Sequence, residues 1–496
     1  MKILTPSQLH KADQYTIEHQ KISSWELMER ASLAAVEKIK AILKAPKPVT
    51  VLAGSGNNGG DGLAIAFHLD QLGYEVEVLV LKYTTEYSKD CKINFDRLQA
   101  KTEIKVEEFT EDSNIESLNF KPVIIDAVFG IGLNRALPEF VEKVIKKANH
   151  AQALRIAIDV PSGLFLSKLT PPQSIVFEAD YTLTFQCPKL NFFLPDYGNA
   201  LGKIQVIDIG LDKSFINKLD SDFEFVNKKY IDGFYKVRHR FSHKGDYGHL
   251  LVAGGQYGIM GSVSLTAKAA LKSGVGKVTV LSPQCGVEIL QHSVPEAMVI
   301  PSDDIEQVSP KHLNFKPSNI CIGMGLGQSK LAVKSLTYFI RLSKQPILID
   351  ADGLNILSKN KNLFEDLPDQ SILTPHQGEL KRLIGEWGDQ YDKLDKMKKF
   401  SRQYNIILVS KDAYTFTVYD DQVYINSTGN SGLATAGSGD ALAGIISSFL
   451  CQNYSPLESS ILGVYIHGKA ADFYTTSNSE LSLTASDVIN CLGKTL

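Results

Sequence analysis

Two α/β domains in tandem, each a parallel sheet covered by helices, are what this sequence predicts. Two observations carry that expectation. Short apolar runs of strand length alternate with stretches of helical period, the pattern of parallel strands joined by helical crossovers, and the alternation runs through the chain twice. Between the two series lies a polar, weakly patterned stretch, residues 212–225, which reads as a linker. With 496 residues, each half is long enough to bury its own core.

Taken in order, residues 1–45 read as helices, because Leu27, Met28, Ala31, Ala34, Ala35, Ile39 and Ile42 recur at helical spacing. A short apolar strand over 49–53 and a helix over 63–72 open the first alternating series. Strands over 76–81, 123–128, 155–160, 181–185 and 204–209 continue it. The second series starts near Tyr230, with strands over 249–253, 277–281, 319–322, 347–350, 372–374 and 406–410. Residues 415–419 and 423–425 form a hairpin around Asp420 and Asp421, and helices over 440–451, 457–474 and 485–492 close the chain.

Composition excludes several classes of function. The net charge of −3 gives no electrostatic basis for binding nucleic acid or an anionic membrane. Six scattered cysteines without a C-x-x-C pair argue against a disulfide framework or a zinc site and suit a reducing cytoplasm. The N-terminus lacks the apolar core of a signal peptide, and no apolar run is long enough to span a bilayer.

The most informative stretch is Asn430 to Asp440. It is rich in small residues and ends in Gly437-Ser438-Gly439-Asp440 as an apolar helical run begins. Helix N-terminal N–H groups have no intrahelical partner and can hold an anion, and glycine lets the backbone approach phosphate oxygens. A carboxylate beside a bound anion disfavours binding, so Asp440 reads as a base facing a substrate hydroxyl next to a nucleotide phosphate. The plain alternative is that Asp440 caps the helix. Other strand ends of this half are also polar or glycine-rich: Gly254 to Ser262, Gly323 to Gln328, Asp350 to Asn355, Leu373 to Glu379 and Ser410 to Thr415. His376 could equally be a turn histidine, Lys411 a solvated lysine, and Glu379 a charge favoured by its helix dipole. Asp350 and Asp352 read as caps or as a magnesium-linked pair.

In the first half, Gly54, Gly56 and Gly59 satisfy the dinucleotide fingerprint G-x-G-x-x-G between a strand and a helix. The carboxylate that the fingerprint requires at the end of the next strand is missing, because that strand ends Leu81-Lys82-Tyr83. The loop instead offers Asn57, Asn58 and Asp61. Asp126 and Asp159 end two further strands, and ligands in open α/β sheets bind outside the carboxyl ends of strands. Asn58, Asp126, Ser162 and Asp159 could converge there, where the oxygen donors would suit a monovalent cation. Both aspartates could instead cap helices.

These motifs resemble known families. Ala53 to Gly62, with Asp126-Ala127-Val128-Phe129-Gly130-Ile131-Gly132 and Asp159-Val160-Pro161-Ser162-Gly163, resembles the YjeF N-terminal family of NAD(P)H-hydrate epimerases, with Ser55 where the family has proline. The resemblance implies a Rossmann-like three-layer αβα domain over residues 1–212. It places hydrate contacts at Asn57, Asn58, Gly59, Gly60, Asp61, Gly130, Ile131, Gly132, Leu133, Asn134, Arg135 and Ala136. Potassium would be held by Asn58, Asp126 and Ser162, and Asp159 would be the acid–base group. The motifs of the second half resemble the ADP-dependent NAD(P)H-hydrate dehydratases, which implies a ribokinase-like three-layer αβα domain over residues 226–496. Hydrate contacts are implied at Gly325, His376, Gln377, Gly378, Glu379 and Asp440, and nucleotide contacts at Lys411, Asp412, Ala413, Tyr414, Thr415 and Gly439. Gln377 and Asp412 stand where the family has proline and glycine.

The order of motifs resembles the fused bifunctional hydrate repair enzymes. It implies epimerisation of the S and R hydrates and ADP-dependent dehydration of the S hydrate, with release of AMP and phosphate. Hydroxide is a poor leaving group, whereas phosphate is a good one. Asp440 would take the proton of the hydrate's hydroxyl as it attacks the terminal phosphate, with magnesium and helix amides stabilising the charge. A cytoplasmic homo-oligomer that binds NAD(P)H hydrate and ADP is expected. A ribokinase-type small-molecule kinase fused to a nucleotide-binding module is the alternative enzyme reading, and a non-catalytic ligand-binding scaffold is a third.

Overall fold

In the computed structural model, which describes residues 1–495, the chain divides into two compact units. One is Lys2–Ser221; the other runs from Asp222 to the end of the described chain and includes Met1.

The first unit opens with helices Pro6–Gln20 and Ser24–Leu43. The Thr5 and Ser23 hydroxyls accept from the third helical N–H, and Gln8 and Glu26 reach back to the cap N–H, so each helix start is satisfied reciprocally. The sheet comprises β1 (Val49–Ala53), β2 (Val76–Leu81), β3 (Lys105–Phe109), β4 (Val123–Ala127), β5 (Leu154–Ile158), β6 (Tyr181–Phe185) and β7 (Lys203–Ile207). Their order is β3-β2-β1-β4-β5-β6-β7, parallel throughout. β1 and β4 are wholly buried, as expected for strands covered on both faces. Chain direction across the sheet reverses between β1 and β4, which opens a crevice at their carboxyl ends.

Several sequence expectations need correction here. The glycine loop is shorter than expected, because the helix after β1 spans Asn57–Gln71 and begins inside the motif. A Cβ on Gly59 would lie 1.9 Å from the Gly54 oxygen, and one on Gly62 2.5 Å from the Ala127 Cβ. These glycines let the helix press onto the strand ends. β3 and the helix Lys89–Lys101 before it were not expected. The stretch read as a linker is ordered. Asp212 caps a helix, Lys213–Lys218, by accepting from the Phe215 N–H at 2.9 Å, and β8 (Phe223–Val226) joins the second sheet.

The second unit holds β8 with β9 (His249–Ala253), β10 (Lys277–Ser282), β11 (Met298–Pro301), β12 (Asn319–Ile322), β13 (Leu348–Ile349), β14 (Ile372–Leu373), β15 (Ile407–Ser410), β16 (Phe416–Tyr419) and β17 (Gln422–Asn426). The order is β11-β10-β9-β12-β13-β14-β15-β16-β17-β8. β11 through β15 run parallel. β15, β16 and β17 are antiparallel, with the β16–β17 turn at Asp420 and Asp421, and β8 lies parallel to β17. The reversal point falls between β9 and β12. Helix Ser438–Cys451 packs closely on its neighbours through small residues. A Cβ on Gly444 would meet the Thr266 oxygen at 2.2 Å, and Gly463 of helix Pro456–Tyr474 sits against Ile446. Among the described residues no helix is long and apolar enough to cross a membrane.

Candidate active sites

At the β1–β4 crevice of the first unit lies a cavity of about 750 Å³. Of the expected binding residues, Asn57, Asn58, Asp61, residues 130–135 and Asp159 line it; Gly59, Gly60 and Ala136 do not. Gly60 faces the Met28 sulfur, 2.8 Å from where a Cβ would stand, so it is a packing residue. Asp159 follows β5 in a left-handed backbone conformation, φ 61°, a strained state for a non-glycine residue that surrounding contacts must hold. Its Oδ1 accepts from the Lys189 ammonium at 2.6 Å, the Phe185 N–H at 3.0 Å and the Thr184 hydroxyl at 3.2 Å. Lys189 is itself buried and also donates to the carbonyls of Phe185 and Cys187.

Beneath this cavity Asp126, fully buried, accepts from the Ser162 N–H at 2.8 Å, the Ser162 hydroxyl at 2.6 Å and the Val128 N–H at 3.2 Å. Asn58 donates to the carbonyls of Phe129 and Ile158. Asp126 and Ser162 are thus bonded to each other, and Asn58 is linked to them through Phe129, whose N–H donates to the Ser162 hydroxyl at 2.9 Å; Asp126 pairs with no cationic side chain among the described residues. Desolvation lifts its carboxyl to about 6 against the hydrogen bonds that lower it. The wall carries two further carboxyl groups above their ordinary range. Asp61 is raised by desolvation and then by the Asp159 charge; Asp13 is raised to about 7 by the same two causes, with Lys189 partly offsetting.

In the second unit, helix Ser438–Cys451 begins at Gly437, whose φ is 83°, with no side-chain cap. The Ser438 N–H bonds to the Thr435 carbonyl, and the N–H groups of Gly439 and Asp440 are left open to an anion. Lys411, at the end of β15, places its ammonium 3.0 and 3.3 Å from the two oxygens of buried Asp350. A Cβ on Gly439 would lie 3.2 Å from that ammonium, so the missing side chain is what lets Lys411 sit against the helix start. Asp440, in the first turn, has its carboxyl raised to about 6 by desolvation and by Asp350, with Ser262 and Lys411 holding it back.

His376 caps helix Gln377–Ile384. Its Nδ1 accepts the Gly378 N–H, and Glu379 accepts the His376 N–H at 2.9 Å. Desolvation, with Lys411 and Arg382, pushes the His376 imidazole below its ordinary value. Desolvation, with the Asp350 charge, lifts Glu379 to about 7. Gly325 stands in a left-handed turn after β12, where a Cβ would reach the Ile259 oxygen at 2.9 Å.

Asp350 and Asp352 have different partners in the protein: Asp350 binds Lys411, and Asp352 accepts the Gly327 N–H at 2.9 Å. The residues that depart from the family pattern both make bonds. Gln377 donates to the Lys411 carbonyl at 2.8 Å, and Asp412 accepts the Ala413 N–H at 2.8 Å while standing 3.5 Å from the buried ammonium of Lys393. The loop 411–415 is thereby fastened from both sides.

Sequence reasoning missed Asp13, Lys189, Lys393 and His467. His467 is buried and bonded to the Ser438 hydroxyl at 3.3 Å, and desolvation pushes it down to about 4. Asp13 had a readable signal. It sits between Leu9 and Ile17 at four-residue spacing, a carboxyl within an apolar helical stripe.

The model for the YjeF-related protein N-terminus matches residues 24–191, and that for NAD(P)H-hydrate dehydratase matches residues 250–493. The bifunctional NAD(P)H-hydrate repair enzyme of Coxiella burnetii is 34% identical over 94% of this chain and 94% of its own. That of Moorella thermoacetica is 31% identical over 99% of this chain and 96% of its own. Among solved structures, the ADP/ATP-dependent NAD(P)H-hydrate dehydratase of Bacillus subtilis, co-crystallised with ATP and Mg2+, is 26% identical. It covers 55% of this chain and 96% of its own, with a TM-score of 0.48. With whole-length relatives above 30% identity and both halves matched, the chain belongs to the family of bifunctional NAD(P)H-hydrate repair enzymes.

Proposed function

We propose that the first unit interconverts the S and R hydrates of NAD(P)H. The second would dehydrate the S hydrate with ADP as phosphoryl donor and release AMP and phosphate. The observation that carries the reading is Asp440. A half-buried carboxyl group stands in the first turn of an uncapped helix, beside the Lys411–Asp350 pair. That arrangement supplies both halves of a phosphoryl transfer: an anion cradle and a base next to it.

In this reading the open amides of Gly439 and Asp440 and the Lys411 ammonium bind the terminal phosphate. Asp440 takes the proton from the hydrate's hydroxyl, and a carboxyl lifted to about 6 is basic enough to hold it. His376, Gln377, Gly378, Glu379 and Gly325 would orient the nicotinamide, and Lys411, Asp412, Ala413, Tyr414, Thr415 and Gly439 the nucleotide. Magnesium, held through the nucleotide phosphates with Asp350, would supply charge neutralisation; a buried carboxylate beside phosphate oxygens is a donor set that suits it. In the first unit, potassium would be held by Asn58, Asp126 and Ser162, one carboxylate among neutral oxygens. Its charge would balance a carboxylate that no cationic side chain among the described residues pairs with. Asp159 would contact the hydrate as the acid–base group.

The test is incubation of the full chain with hydrate, ADP and magnesium. Return of the reduced-nicotinamide absorbance, with AMP and phosphate formed in step, supports the reading. A stable phosphorylated product would instead mark a small-molecule kinase.

A further inference from the structure

The cavity of the first unit holds more ionisable chemistry than the Asp159–Lys189 pair. Leu9, Asp13 and Ile17 of helix Pro6–Gln20 all line it, so a carboxyl group interrupts the apolar stripe that faces ligand space. Asp13 takes no hydrogen bond from any described residue. A polar group on a cavity wall without a protein partner is placed to meet solvent or ligand. The other carboxyl groups on this wall are placed differently. Asp61 accepts from the Ser32 hydroxyl at 3.3 Å; Asp90, in the first turn of helix Lys89–Lys101, is also without a hydrogen bond from the described residues, but its Oδ1 is buried away from the cavity space. Asp159 directs Oδ1 to three donors and leaves Oδ2 without a hydrogen bond from the described residues.

We propose that Asp13 is the second catalytic group of the epimerase, the acid that works opposite Asp159 as the base. The proposal rests on the epimerase reading above and assigns its missing partner. Water added across the enamine double bond of a reduced nicotinamide leaves hydroxyl and ring nitrogen on one carbon. Inverting that carbon requires breaking one of its two heteroatom bonds. Asp159 takes the hydroxyl proton, and the O–H electron pair becomes the second carbon–oxygen bond. The carbon–nitrogen bond breaks, its electrons pass to the ring nitrogen, and Asp13 delivers a proton there. The open form carries an aldehyde and an N–H. Rotation about the adjoining carbon–carbon bond presents the other face of the aldehyde. The reverse transfers close the ring with opposite configuration and return both carboxyl groups to their starting states. One proton has moved from oxygen to nitrogen and back, and no further reactant is consumed.

Two features of the site serve this division of labour. Lys189, itself buried, sets its ammonium 2.6 Å from Oδ1 of the base and so fixes the Asp159 carboxyl group in place. Asp13, raised to about 7, retains its proton close to neutrality. Two carboxyl groups in unlike surroundings are the usual device for dividing acid and base chemistry at one pH.

The experiment follows exchange between separated NADH-hydrate epimers by chromatography, with the full chain and ADP omitted. Asp13→Asn is expected to slow exchange by about 100-fold or more with little change in KM, and Asp13→Glu to restore part of the rate. The parent rate should fall on the alkaline side of neutrality, and the Asn variant should lack that limb. In oxygen-18 water, ring opening leaves each inversion without obligatory label uptake. An Asn variant that folds, by circular dichroism, and exchanges epimers within about threefold of the parent overturns the proposal. So does one oxygen-18 incorporated per inversion. A parent that exchanges epimers no faster than solution overturns the epimerase reading itself.

Discussion

Replacing Glu379 by Gln should stabilise the second unit by about 3 kcal/mol at pH 8 and by only about 1 kcal/mol at pH 5. Glu379 is 5% exposed, and desolvation with the neighbouring Asp350 charge lifts its carboxyl from 4.5 to about 7. Between those two values the folded chain binds more protons than the unfolded one, so stability falls as pH rises through the interval and the penalty is complete above it. At about 1.4 kcal/mol per pH unit the full penalty is about 3 kcal/mol; near pH 5 it is about 1 kcal/mol. Gln carries no charge and can still accept the His376 N–H, as glutamine does in a capping box. The assay is urea denaturation of parent and variant at both pH values, read at the transition of the second unit. An equal effect at the two pH values, or a loss of stability at pH 8, would refute the reasoning. The stabilised variant should dehydrate hydrate more slowly, the expected cost where a site is built from unfavourably buried charge.

Three further outcomes are expected. Asp440→Asn should reduce dehydration by about 100–10,000-fold while epimer exchange continues; dehydration near the parent rate with normal nucleotide affinity would remove Asp440 from the mechanism. Lys411→Met strands buried Asp350 and should cost about 3 kcal/mol, much of it recovered on adding Asp350→Asn; a double-mutant cycle with coupling below about 0.5 kcal/mol would count against the pair. Asp126→Ala should weaken epimer exchange in a way that high potassium partly offsets, and an identical potassium response in parent and variant would argue against a cation there.

Interior strands were legible from sequence; of the edge strands only β7 was, read as 204–209 against Lys203–Ile207. β1, β2, β9 and β12 are apolar runs because both faces are covered. β3 reads Lys-Val-Glu-Glu-Phe and lies at a sheet edge, with Lys105 and Glu108 exposed, so its pattern is that of a surface loop. β11 and β8 are edges of the same kind. The early start of helix Asn57–Gln71 was hidden because a glycine-rich first turn has poor helix propensity, and only the close approach to Gly54 fixes it. Asp126, Asp159 and Asp440 were readable because strand and helix ends announce themselves. Lys189 was not: it lies in the irregular Cys187-Pro188-Lys189 stretch, and its importance comes from a backbone fold that sets Asp159 against it.

The pairing of β8 with β17 has a consequence for how the chain is made. Phe223 lies beside Val423, 200 residues later. At about 5–20 residues per second, β8 leaves the ribosome roughly 10–40 s before its partner exists. For that time a Phe-Glu-Phe-Val segment has no ladder to join, and unpaired strands of this kind are what chaperones and mispairing compete for. The sheet closes only after residue 426 has been translated, so a late step in building the second unit recruits its first strand.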